Sequence, residues 1–166
     1  MMKKRLSILI PLAALAGCAH NEAQPGEGST AGPEAIRYET SPCFGMCPVY
    51  TVTVRRDGSG TFTGMRNTQV KGDRTFTVTP AQYAAFAARL APYRPEGERL
   101  YQPGSPLCEN AATDMPGVDV KWTGPKGTDH LNVYYGCDRR KNGAMIDALG
   151  NAVDALPIES LIGERP

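Results

Sequence analysis

The chain has 166 residues, with 18 Lys and Arg balanced by 17 Asp and Glu, and only two histidines. That balance leaves no electrostatic footprint for nucleic acid, and the basic runs Arg55-Arg56 and Arg139-Arg140-Lys141 read as solvated faces. The sequence contains no G-x-S-x-G, H-E-x-x-H, P-loop or C-x-x-C-H, so no familiar catalytic or haem-attachment pattern points to an enzyme.

The first segment is "MMKKRLSILIPLAALAGC". Lys3, Lys4 and Arg5 precede an apolar run from Leu6 to Leu15. A run of that length is too short for a membrane span, which needs about 20 residues, and suits a secretory signal. Leu15-Ala16-Gly17-Cys18 resembles a bacterial lipobox. That resemblance implies removal of residues 1–17, a diacylglyceryl group on Cys18 and a fatty acyl chain, such as palmitate, on the new amino terminus. Several acyl chains together anchor firmly where one binds only marginally. Ala19 is not the aspartate associated with inner-membrane retention, so the expected location is the outer membrane, facing the periplasm, in a host with two membranes. Loss of Lys3, Lys4 and Arg5 leaves 15 basic against 17 acidic residues, a slightly acidic mature chain.

Residues 18–33 are rich in Gly, Ala, Pro, Ser and Glu and have no apolar period, so they read as a flexible tether. Such a tether has an r.m.s. reach of about 20 Å. Residues 34–157 form one domain's worth of patterned sequence, and residues 158–166 read as a C-terminal tail.

Within the domain, "VYTVTV" places Tyr50, Val52 and Val54 on one face, and "RRDGSG" then "TFTG" completes a hairpin over residues 49–64. "RTFTVT" alternates again over 74–79. Thr79, Pro80 and Gln82 supply a cap, a first helical residue and a capping box. The helix that follows carries the stripe Tyr83, Phe86, Leu90 and Tyr93. The second half repeats the plan: Val118, Val120 and Trp122, then Leu131, Val133 and Tyr135, then a helix from about Gly143 carrying Ile146, Leu149, Val153 and Leu156. Two hairpin-then-helix halves predict an α+β fold, an antiparallel sheet with both helices on one face. The Pro- and Gly-rich stretch between the halves predicts a long loop.

With Cys18 used for lipid, four cysteines remain, and outside the cytoplasm they persist as disulfides with three possible connectivities. Cys43 and Cys47 flank Gly45, which permits a tight turn, and Pro48 biases Cys47 to extended backbone. That geometry favours Cys43–Cys47, leaving Cys108–Cys137 to tie the long loop to a strand end. The stretch "PCFGMCPVY", followed by an alternating strand and an "RDGSG" turn, resembles a bacterial domain family of unknown function numbered 6438 over residues 35–155, and "TDMP" at 113–116 fits its pattern. The resemblance implies small exported or lipid-anchored proteins with an α+β domain. It carries over no catalytic residue.

Three functions follow from these residues. The first is a lipid-anchored, non-catalytic binding module whose partner is an envelope protein or peptide, with no cofactor, metal or nucleic acid. The second is an envelope copper or thiol-redox protein, because C-x-x-x-C-P is similar to the copper motif of Sco-type assembly proteins, with His130 and Met46 as added ligands. Against it, the motif here runs into a strand instead of opening a helix, and no cation neighbours Cys43 to lower a thiol pKa. The third is a periplasmic inhibitor of a lysozyme-type hydrolase, with the long loop as the inserting element. Asp114 and Asp119 read as loop capping and surface charge in preference to paired carboxylates, and Tyr101 and Tyr134 as partly buried tyrosines by default, with exposure at a binding surface as the alternative.

Overall fold

The computed structural model describes residues 32–164; the signal segment, Cys18 and residues 18–31 of the tether lie outside the described residues. Seven strands form one sheet: β1 (Ala35–Thr40), β2 (Val49–Arg55), β3 (Ser59–Arg66), β4 (Gly72–Thr77), β5 (Glu98–Tyr101), β6 (Gly117–Gly124) and β7 (Gly127–Tyr134). Their order is β4-β3-β2-β1-β6-β7-β5, antiparallel throughout except for β5, which runs parallel to β7. Helices α1 (Pro80–Leu90) and α2 (Arg139–Gly150) and the one-turn α3 (Glu159–Ile162) complete the fold.

Registry explains why one face is buried. Tyr38 lies opposite Val52 on one side and Val120 on the other, Val52 lies opposite Phe62, and Val120 opposite Leu131. Directly opposed residues share a face, so these side chains form one continuous apolar row. Phe86 and Leu90 of α1 and Ile146 and Leu149 of α2 pack on that row, all essentially buried. Tyr38 ties both helices to the central strand: its ring meets Phe86 edge-on at 6.4 Å, and its hydroxyl donates to the Leu149 carbonyl at 3.0 Å. The opposite face of the sheet is polar, with Thr51, Thr53, Thr61 and Thr63 beside Arg37, Glu39, Asp119 and Lys121.

The capping box at Thr79 and Gln82 forms as the sequence predicts, with Pro80 at the first helical position. The two hairpins are also present, as β2–β3 and β6–β7, but β1 lies between them and joins the halves through both its edges. The alternating segment at 74–79 forms β4, which extends the first hairpin to a meander. Four details differ from the sequence reading. The two apolar stripes outrun their helices: α1 ends at Leu90 and α2 at Gly150, so Tyr93 and Val153 lie in 3-10 turns and Leu156 just after one. The long central loop contains β5. The second helix begins at Arg139, one turn before Gly143, because Asp138 caps it by accepting the Arg140 amide at 3.2 Å. The segment after residue 157 is no loose tail, since Ile158 and Ile162 are buried in the core and the carbonyls of Leu161 and Ile162 accept the amides of Val70 and Gln69.

Candidate functional site

Two places on the domain carry chemistry that the core does not need. The first is one end of the sheet. Thr40, Val49, Arg66, Tyr101, Gly117 and Tyr134 are strand termini brought together there by the register. The connections leaving those termini form a rim that holds both disulfides. Cys43 is bonded to Cys47, and Cys108 to Cys137. The chain enters the domain at the other end, where Arg56 donates to the carbonyls of Gly32 and Pro33 and the Tyr83 hydroxyl donates to Pro33 at 2.6 Å.

The short ring at 43–47 is held from several sides. Asn67 Nδ2 donates to the Cys47 carbonyl at 3.2 Å, and the Phe44 amide donates to the Asp114 carbonyl at 3.0 Å. Gly45 has φ of 142°, a conformation that side-chain-bearing residues rarely adopt. Among the described residues, the non-glycine positions with positive φ are Asn67 and Asp114, and both make these contacts. Such left-handed conformations cost free energy and persist where surroundings fix them. Fixing the ring therefore carries a local cost at both neighbours.

What the ring displays is apolar. Phe44 is 90 % exposed and Met46 71 % exposed, the two highest values among the large hydrophobic side chains described. The other exposed ones, Met65 near the end of β3 and Leu107 in the loop before β6, lie on the same rim. No charged side chain occurs between Glu39 and Arg55. Single exposed apolar residues need no explanation, whereas two held outward on one disulfide-closed ring form a candidate contact surface. Tyr134 and Tyr101 are half-buried, the default for a tyrosine, and not the exposed aromatics that a binding surface would use. Tyr134 accepts the Met115 amide through its hydroxyl at 3.1 Å, and Tyr101 packs against the core.

The second place is on the polar sheet face. His130 Nε2 lies 2.6 Å from Asp119 Oδ2, and His130 Nδ1 lies 2.9 Å from Glu98 Oε2. Asn132 donates to the same Asp119 oxygen at 3.0 Å. Two ring nitrogens facing two carboxylates require two N–H donors, which only the imidazolium supplies. Burial opposes the charged ring, but the hydrogen bonds that its N–H groups donate to Asp119 and Glu98 outweigh it and raise the His130 pKa above its ordinary value. Burial also opposes Asp119 ionisation, yet His130 and Asn132 hold its carboxyl below the usual range. Asp119 is thus joined to His130 and not to Asp114, which belongs to the rim. The sequence reading missed this trio because His130 and Asp119 are diagonal neighbours across β6–β7, visible only once the register is known.

A raised folded-state pKa means that His130 contributes stability fully below about pH 6.5 and loses it as pH rises through the folded value. Asp119, lowered, contributes above about pH 4 and loses its part as pH falls through its folded value. We therefore expect denaturant unfolding to show a stability decline as pH rises above about 6.5, the ordinary histidine value, that His130→Gln abolishes. An unchanged slope in that variant would remove His130 as its source.

With both sulfurs of the C-x-x-x-C ring bonded to each other, thiolate ligation of a metal at Cys43 and Cys47 requires prior reduction. Among the described residues, no group of three or more His, Cys, Asp and Glu side chains is arranged to hold a metal ion. No described helix is long and apolar enough to cross a membrane.

The family described as "Domain of unknown function (DUF6438)" matches residues 34–157. No curated protein sequence matches the chain.

Proposed function

The chain belongs to the DUF6438 family, and on that premise we propose that it is a lipid-anchored cell-envelope protein whose domain is a non-catalytic binding module for an envelope protein or peptide. The anchor in this reading is Cys18, and the location is the periplasmic face of the outer membrane in a two-membrane host. The observation that supports binding is the exposure of Phe44 and Met46 on a ring fixed by a disulfide, Gly45 and two side contacts. Burying each of these side chains in a partner contributes about 1.5–3 kcal/mol. A ring already ordered before binding loses little further entropy when it docks.

Direction supports a protein partner over the anchoring bilayer. The chain enters at Ala35 and the ring follows Thr40, so β1 separates them by about 20 Å at the usual strand rise. An anchored domain therefore presents the ring on the side opposite its point of attachment. The uncharged ring also lacks the lysines and arginines that draw loops to anionic head-groups.

The test uses the full-length chain in its own host, with photoreactive benzoylphenylalanine in place of Phe44 and, as control, in place of Asp57 in the turn at the opposite end. We expect irradiation to give a discrete protein adduct at position 44 and not at 57. The Cys18→Ala form is expected to leave the detergent phase. No adduct at 44, or the same adducts at both positions, overturns the binding surface. A Cys18→Ala protein that still partitions with detergent overturns the anchor.

A further inference from the structure

The four cysteines of the domain are all paired in disulfides, so its reduced sulfur lies in the thioethers of Met46, Met65, Met115 and Met145. These differ sharply in access. Met46 is 71 % exposed and Met65 46 %, whereas Met115 and Met145 are partly buried. Met46 is also held outward: the ring that carries it is closed by Cys43–Cys47 and tied to Asn67 and Asp114, so it has little freedom to fold its side chain back.

We propose that Met46 is an oxidation site and that its oxidation state gates the apolar rim. The gating half rests on the binding reading above; the oxidation half does not. The oxidant class is a peroxide or hypohalous acid, both small enough to reach an exposed thioether. With hydrogen peroxide, the sulfur lone pair attacks one peroxide oxygen, the O–O bond breaks, an S–O bond forms and water leaves. Sulfur loses two electrons and the peroxide gains them. Reversal needs a dithiol reductant, which gives up two electrons and two protons, becomes a disulfide and releases the oxygen as water.

The consequence is local. Oxidation converts a flexible apolar side chain into one carrying a polar S–O group, and does so at the tip of the surface that must enter a partner. The Cys43–Cys47 bond is already oxidised, so the ring keeps its shape while its chemistry changes. A docking surface with one polarised anchor loses affinity without unfolding. The ring thus responds to oxidants through Met46 while its cysteines serve as the frame.

The experiment has two independent readouts. Full-length protein in detergent micelles is treated with graded hydrogen peroxide and, separately, hypochlorous acid, then digested with trypsin under reducing conditions. The peptide spanning residues 38–55 contains Met46 as its one methionine, so its gain of one oxygen is unambiguous. We expect Met46 to oxidise first, about fivefold or more faster than Met115 and Met145, in keeping with oxidation following exposure. Equal rates overturn the site. For the gate, the photo-adduct at position 44 is expected to fall about tenfold after oxidation, to return after treatment with a methionine sulfoxide reductase and dithiothreitol, and to persist through oxidation in Met46→Leu, a swap that retains apolar volume. An adduct indifferent to Met46 oxidation, or lost equally in oxidised Met46→Leu, overturns the gate. Absence of any adduct at 44 overturns the gate together with the binding reading, while the peptide map still decides the site.

Discussion

Leu149→Ala is expected to lower unfolding stability by about 2–5 kcal/mol, and Leu90→Ala by a similar amount, as for fully buried leucines that leave a cavity behind. Both side chains are 0 % exposed and both lie in the layer between the helices and the sheet. Leu149 has a second role through its backbone, since its carbonyl accepts the Tyr38 hydroxyl at 3.0 Å. Truncating its side chain lets α2 shift, which weakens that bond and the edge contact between Tyr38 and Phe86 as well. The loss should therefore lie toward the upper part of the range at Leu149 and the lower part at Leu90. Chemical denaturation of the two variants measures this directly. A change below about 1 kcal/mol at either site would mean that its helix is not packed on the sheet.

The amphipathic stripes behind that prediction were legible in the sequence because local periodicity alone writes them. Phe86 and Leu90, or Ile146 and Leu149, need no knowledge of partners, and the same holds for Tyr50, Val52 and Val54 in β2. Long-range pairing was less legible. β1 is short, and its central place depends on a partner, β6, about eighty residues further along the chain. β5 has no alternating pattern and exists because its parallel neighbour β7 offers an edge. The start of α2 was hidden for an electrostatic reason. Its first turn holds Arg139, Arg140 and Lys141, cations placed against the positive end of the helix dipole, where acidic residues are the usual signal. Asp138 offsets part of that cost by capping the turn and lying close to Arg140 and Lys141.

The candidate site divides in the same way. Gly45 between two cysteines gave the ring its geometry in sequence, because a five-residue turn closed by sulfur needs a residue free to take positive φ. That the exposed Met65 and Leu107 fall at the same end of the sheet as Phe44 and Met46 was not legible, since it depends on strand direction and order. Nor was the support from Asn67 and Asp114, whose positive φ values are properties of the folded chain. The sequence thus specifies the part that projects, and the register of the sheet decides what surrounds it.

The two bridges should differ in what they contribute. Closing a loop of 29 residues between Cys108 and Cys137 removes more unfolded-state freedom than closing the ring of separation four between Cys43 and Cys47. Loop-closure entropy gives about 3.5 kcal/mol for the longer loop and about 2 kcal/mol for the ring. Burial widens the difference, because Cys108 and Cys137 are 1 % and 0 % exposed while the ring lies at the surface. Cys108→Ala with Cys137→Ala should therefore destabilise the domain by about 3–4 kcal/mol and loosen the connection between β5 and β6, which the bridge ties to the end of β7. Cys43→Ala with Cys47→Ala should cost about 2 kcal/mol and leave the core intact, while releasing Phe44 and Met46 from their fixed positions. That second variant is the informative one for binding: it should unfold at a modestly lower denaturant concentration and give a much weaker photo-adduct at position 44. Trypsin under non-reducing conditions checks the pairing behind both numbers. The fragment 38–55 carries Cys43 and Cys47 with no internal Lys or Arg, so it should run alone and two hydrogens lighter than its reduced form. The fragments 100–121 and 127–139 should run joined through Cys108 and Cys137. Fragment 38–55 joined to either of those would mean that the ring is an anchor for the central loop, and the free-standing display of Phe44 would go with it.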